Sequence, residues 1–158
     1  MSKKKQATDA PKRISILNRK ARHEYHLSNH TVAGLVLTGT EIKSIRQGKA
    51  SLGEAYCYFH SGELFVKNMH ISEYEKGNIY NHEPTRTRKL LLQKRELRKL
   101  FASVQEKGFT LIPTKLFISG RGWAKLEIAL AKGKKLYDKR DDLKQKEAKR
   151  EMDRQLKF

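Results

Sequence analysis

Cysteine is nearly absent: Cys57 is the only one in 158 residues. No internal disulfide can form, and a reducing cytoplasm is the natural setting. Long apolar runs are missing as well. None approaches the roughly 20 residues of a membrane span, and the Lys-rich N-terminus lacks the apolar stretch of a secretory signal. Acidic residues are scarce, 17 against 35 Lys and Arg, and most sit beside a base, so no acid–base pair stands out. No GxSxG, HExxH or phosphate-loop pattern occurs. His23, His26 and His30 are spaced three and four apart, but on a strand His23 and His26 point to opposite faces, and one cysteine cannot complete a metal site. Neither an enzyme nor a bound metal or cofactor is expected. A nuclease or nucleotide-modifying enzyme would need a cluster that the sequence does not show.

What is abundant is positive charge. The net charge is +18. The first thirteen residues supply five bases against Asp9, and residues 131–158 supply eleven bases against six acids, leaving about half the excess on the body. A body basic in its own right points to nucleic acid or an anionic membrane, of which the membrane is the weaker case with no spanning run in the chain. The organisation expected is a disordered basic arm over 1–12, an RNA-binding β-barrel domain over 13–132 and a basic tail over 133–158. After Gly133 the tail has neither proline nor glycine. Its apolar residues are too sparse for a core-facing stripe. Helix-forming composition and the pairs Asp142/Lys146 and Asp153/Lys157 predict a segment disordered when free and helical on an anionic host. Such a helix over 138–157 would reach roughly 30 Å.

Within the body, period two from Ile14 to Leu27 predicts a strand carrying a basic exposed stretch, followed by a turn at Ser28–His30. Residues 32–37 predict a buried strand in which Gly34 marks a bulge or a close backbone approach. Thr40 can cap a short helix over 41–47, with Ile42 and Ile45 inward and Glu41, Lys43, Ser44 and Arg46 outward. A hairpin follows, with arms 55–59 and 63–66 and the second arm extending to Ile71. Residues 72–88 form a long polar loop, often a functional feature in a small domain. Leu97, Leu100, Phe101 and Val104 mark an amphipathic helix over 93–107. A strand broken by Pro113, hence an edge or a bulge, precedes an alternating strand over 123–130. About six short strands and two helices suggest a mainly β chain, a small antiparallel oligonucleotide-binding-like barrel with two or three packed helices and a basic tail.

Basic clusters are the candidate contacts: Arg19, Lys20 and Arg22; Lys43 and Arg46; Arg86, Arg88 and Lys89. They offer phosphate neutralisation without sequence reading, while Tyr25, Tyr74 and Tyr80 could stack on unpaired bases. On this evidence alone, a general RNA-binding or ribosomal protein of barrel type fits.

The motifs are more specific. Asn18-Arg19-Lys20-Ala21, Ala33-Gly34-Leu35, Gly39 through Arg46 (GTEIKSIR), Pro84 through Leu92 (PTRTRKLLL), and Ala131 through Lys135 (AKGKK) followed by Asp138-Lys139-Arg140 occur in order. Together they resemble the SsrA-binding protein (small protein B) family. The resemblance implies an oligonucleotide-binding-like barrel that binds the tRNA-like domain of transfer-messenger RNA and takes it to stalled ribosomes. Its tail would occupy the empty decoding site and mRNA channel, with elongation factor Tu reached through the RNA. Asn18, Arg19, Lys20, Glu41, Lys43, Ser44, Arg46 and Leu91 then fall on the RNA-facing surface or its support. Gly133, Lys134, Lys135, Tyr137, Asp138, Lys139 and Arg140 match the ribosome-acting tail. Glu41 would accept a hydrogen bond from base or ribose, or orient a neighbouring Arg. The family often carries Glu before the Ala-Gly of the second strand; Val32 stands there in this chain.

Overall fold

The computed structural model describes residues 14–106 and 108–156; the expected basic arm lies outside them. In chain order the elements are β1 (Ser15–Leu17), α1 (Arg19–Glu24), β2 (Tyr25–Leu35), α2 (Gly39–Arg46), β3 (Ala50–Ser51), β4 (Tyr56–His60), β5 (Glu63–Lys67), β6 (His70–Ile71), a 3-10 turn (Asn78–Tyr80), β7 (Arg88–Leu91), α3 (Lys94–Val104), β8 (Phe109–Ile118), β9 (Ala124–Gly133) and α4 (Leu136–Gln155). The main sheet runs β1-β8-β4-β5-β7-β2-β9, and pairing of β8 with β9 closes it into a barrel. Closure removes the free edges that an open sheet would expose. All its pairings are antiparallel, and β3 with β6 forms a separate ribbon.

Alternation fills the interior. Ala124, Leu126, Ile128 and Leu130 of β9 point into a core shared with Leu64, Val66, Leu90, Leu111 and Leu116. Cys57 belongs to this core, and burial pushes its thiol up. The expected hairpin forms as β4 and β5, with Ser61 and Gly62 both at positive φ in its turn. Leu100 of α3 is buried against the barrel, and Leu97 and Val104 pack beside it. Phe101 meets Phe59 edge to face at 5.3 Å between centroids.

Several expectations are corrected. The basic stretch after β1 is not a strand but helix α1. Asn18 caps it by accepting the Ala21 N–H at 3.1 Å, and Ala21 packs on Ile112 and Ala131 outside the barrel. Ser28–His30 is not a turn; β2 runs through it with a bulge between Ser28 and Thr31 and Asn29 at positive φ. Val32 and Val36 are exposed rather than buried. Gly34 marks a close approach, since a Cβ there would stand 3.3 Å from Leu91 Cβ. The N-cap of α2 is Thr38 rather than Thr40. Residues 70–71 form a separate strand on β3 instead of extending the hairpin. Strand β8 is a bulge at Pro113 but not an edge: β9 lies along one side, with β1 and β4 on the other.

Candidate nucleic-acid interface

Helix α2 is the pivot, because its two faces do different work. Glu41, Ser44 and Ile45 are buried, while Lys43 and Arg46 are exposed. Glu41 and Ser44 were expected to lie outward, so their burial is a correction. At i and i+4, Glu41 shares the inward face of Ile45. A buried carboxylate needs partners. Arg86 Nη2 donates to Glu41 Oε1 at 2.6 Å and the Thr38 N–H donates to the same oxygen at 2.9 Å. Arg88 Nε donates to Oε2. Burial alone would push the Glu41 carboxyl up, but these bonds prevail and hold it below its usual range. The same burial pulls Arg88 down from its ordinary value, against the contrary pull of Glu41.

Arg88 is fully buried, at 0% exposure. Its guanidinium also donates to Met69 O at 2.6 Å and Pro84 O at 3.1 Å. It therefore cannot meet phosphate in this conformation, contrary to its place among the phosphate candidates. Lys89 pairs with Glu63 at 2.9 Å and Lys20 with Glu54 at 2.5 Å. The Glu54 hydrogen bond raises the Lys20 ammonium. Asn18 is buried as well. Its Nδ2 donates to Pro113 O at 2.8 Å and Leu52 O at 3.2 Å, so it fixes the start of α1 to the bulge in β8. Arg19, Lys43 and Arg46 are exposed and have no carboxylate partner among the described residues. Leu91 is half exposed beside Gly34.

The loop before β7 is ordered from within. Asn81 Nδ2 donates to Tyr74 O at 2.6 Å and its Oδ1 accepts the Tyr74 N–H at 3.0 Å. His82 is buried between Thr40 Oγ1 and Ile71 O, each at 2.9 Å. Lys43 Nζ lies 5.4 Å from the Tyr74 ring. Of the three candidate stacking tyrosines, Tyr25 packs against the Ala21 cluster and Tyr74 faces Lys43. Tyr80 is exposed at 85%.

The tail starts from β9. The Lys134 N–H donates to Glu24 O at 2.9 Å, and Lys134 Nζ donates to Arg22 O at 3.0 Å and to Asp142. That last bond holds the Asp142 carboxyl below its usual range. Asp138 accepts the Lys135 N–H at 3.3 Å and lies 3.3 Å from His26 Nε2. Beyond this base α4 buries no residue. Tyr137, Lys139 and Arg140 stand on its first turns, with Gly133 ending β9. No helix among the described residues is long and apolar enough to cross a membrane.

Comparison with known proteins now decides the family. The family model "SmpB protein" matches residues 15–158. This chain belongs to the SmpB family. An SsrA-binding protein of Phocaeicola vulgatus is 58% identical, covering 93% of this chain and 98% of that protein. One from Cytophaga hutchinsonii is 57% identical, covering 90% and 94%. A chain from a solved structure of tmRNA–SmpB in the bacterial ribosome superposes with a TM-score of 0.67 and 46% identity, covering 80% of this chain and 87% of that one. The barrel expected from strand spacing is thus the family's fold. Sequence reasoning missed Thr38 and His82 as anchors of α2, and Trp123 and Arg121 beside it. The signal available for the last pair was an Arg and a Trp set among the glycines of the 119–123 turn.

Proposed function

We propose that this chain binds the tRNA-like domain of transfer-messenger RNA and brings it to stalled ribosomes. The observation that carries the reading is membership of the SmpB family over nearly the whole chain, with relatives named for SsrA binding. The unpaired cations Arg19, Lys43 and Arg46 supply phosphate contacts. Leu91 supplies an apolar contact beside Gly34. Glu41, Asn18 and Arg88 act from beneath, fixing the segments that carry those side chains, Ser44 packs on the buried face of α2, and Arg86 bridges the buried cluster and the surface. Lys20 and Lys89 exchange a carboxylate partner for phosphate.

The tail, from Gly133, Lys134 and Lys135 through Tyr137, Asp138, Lys139 and Arg140, enters the decoding site and mRNA channel. Its helix is sparse in apolar contacts, so rRNA supplies the environment that orders it. Elongation factor Tu is met through the RNA, and the setting is the cytoplasm. Peptide transfer remains the ribosome's chemistry; this chain contributes shape and charge.

Competition of the tRNA-like domain against elongator tRNA, at two salt concentrations, tests the reading. Preference that survives the higher salt is expected; equal binding that collapses with salt would leave only a general RNA-binding protein. Truncation after Leu136 separates the tail, with RNA affinity preserved and peptide tagging on stalled ribosomes abolished. Equal loss of both would make the tail part of the RNA site.

A further inference from the structure

A cleft of about 340 Å³ opens between α2 and the turn joining β8 to β9. Leu35, Leu37 and Ile42 form its apolar part, and Arg46, Arg121 and Trp123 its polar and aromatic rim. No carboxylate lines it. Trp123 is 68% exposed, unusual for so large an apolar ring, and it takes part in no aromatic pair among the described residues. The turn beneath it is firmly tied. The Ser119 N–H donates to Trp123 O at 2.8 Å, the Trp123 N–H to Ser119 Oγ at 3.2 Å, and the Gly122 N–H to Ser119 O at 2.9 Å. Gly122 sits at φ 85°, in the left-handed region that favours glycine. The indole is therefore carried on a pre-shaped support rather than a loose loop.

We propose that this cleft seats one unpaired base of the bound RNA, with Trp123 stacking on it and Arg46 and Arg121 meeting the adjoining phosphates. The inference rests on the reading that RNA crosses α2, and it names the contact made there. A base offers what these groups recognise: a flat π-face for the indole, apolar edges for Leu35 and Leu37, and a flanking phosphate for each guanidinium. A protein partner fits less well, because it would have to answer two unpaired arginines with acids. By contrast, a second carboxylate-free cleft, at Phe59, Leu97, Arg98 and Phe101, has its two rings already engaged with each other.

Trp123 is the chain's only tryptophan, so its own emission reports on the cleft. The full chain is titrated with the tRNA-like domain while Trp123 emission and acrylamide accessibility are followed, and a filter-binding assay gives an independent affinity. A saturating change in emission and loss of acrylamide access, with the midpoint of the independent assay, are expected. Trp123→Ala should weaken binding about 5- to 150-fold, the range for loss of one stacked base. Trp123→Phe, which keeps a ring, should recover most of it. Because the side chain is largely exposed, the thermal midpoint of Trp123→Ala should stay near that of the parent; the emission titration on the unmodified chain needs no variant at all.

The inference is overturned if the RNA binds with normal preference, and Lys43→Glu with Arg46→Glu weakens it, while Trp123 emission and accessibility stay unchanged and Trp123→Ala binds as the parent. It is overturned too if ribosomes, but not the RNA, protect Trp123, which would assign the cleft to a component of the ribosome. Failure of the unmodified chain to prefer the tRNA-like domain over elongator tRNA would instead strike the functional reading beneath it.

Discussion

Arg86 and Arg88, just before and at the start of β7, and the bases of α4 carry the same charge and meet opposite fates. Arg88 is wholly buried and spends its donors on Glu41 and backbone carbonyls. Arg86 is half drawn into the same cluster. In α4 no residue is buried, and its charges beyond Asp142 point to solvent. The difference teaches that a count of +18 overstates the charge available to an RNA on the body. Some of those cations are structural parts of the fold, held by a carboxylate that no partner displaces cheaply. Beyond Lys134, the described cations of the tail have no carboxylate partner, and with that comes its dependence on an outside surface.

The sharpest way to break that contrast is Glu41→Gln. The substitution keeps shape but leaves Arg88 charged and unpaired in the interior, and should cost about 3–5 kcal/mol in urea unfolding. A loss below about 1 kcal/mol would mean that the cluster is solvated and not structural. The pH profile sharpens the point. The Glu41 carboxyl is depressed in the folded state, so the unfolded chain binds its proton first as pH falls. Its contribution is then complete above about pH 4.3, the unfolded value, and is lost as pH drops through the folded value. The stability gap between parent and Glu41→Gln should therefore narrow in acid. A gap that stayed constant down to pH 2 would place the stabilisation elsewhere.

Much of the barrel was legible because 123–130 alternates and so states its inward face, and because the apolar arms 55–59 and 63–66 flank a Gly-containing turn. The short pieces were not. The two-residue strands β3 and β6 fall below any period, and β7 lies in an apolar run too short to declare itself a strand, which is why six expected strands became nine. Helix α1 has a single apolar anchor, Ala21, and only the Asn18 cap announces it. The site was half legible. Motif order identified α2 and the segment before β7, yet not that Glu41 faces inward, because its partners lie 45 and 47 residues away and no local spacing reveals them. Trp123 was read as the start of a strand, when its exposure depends on how the β8–β9 turn meets α2.

On the exposed side of α2 the comparison becomes a binding measurement. Lys43→Glu with Arg46→Glu should leave stability near that of the parent, since neither cation has a carboxylate partner among the described residues. It should weaken binding to the tRNA-like domain and reduce the magnitude of the slope of log affinity against log salt by about 2, one unit for each lost phosphate contact. An unchanged slope would place the RNA on another face of the barrel.

The smallest effect is expected where the two regions meet. Lys134 joins Asp142 of α4 to the carbonyl end of α1, and His26 approaches Asp138 one turn earlier. Among the described residues Lys134 is the one cation outside α4 that pairs with its carboxylates, and His26 adds a hydrogen bond to Asp138. Asp142 and His26 stand open to water although Lys134 is largely covered, and pairs open to water contribute little and are screened by salt. Asp142→Asn should therefore leave the unfolding midpoint of the barrel unmoved. It should instead lower helix content by circular dichroism and speed amide exchange across 136–155, and raised salt should mimic it in the parent. Because the Asp142 carboxyl is depressed by Lys134, the parent's extra helicity should fade as pH drops through that lowered value. Full helicity in Asp142→Asn would show that α4 stands on its own propensity, and the tail would then reach the ribosome already formed.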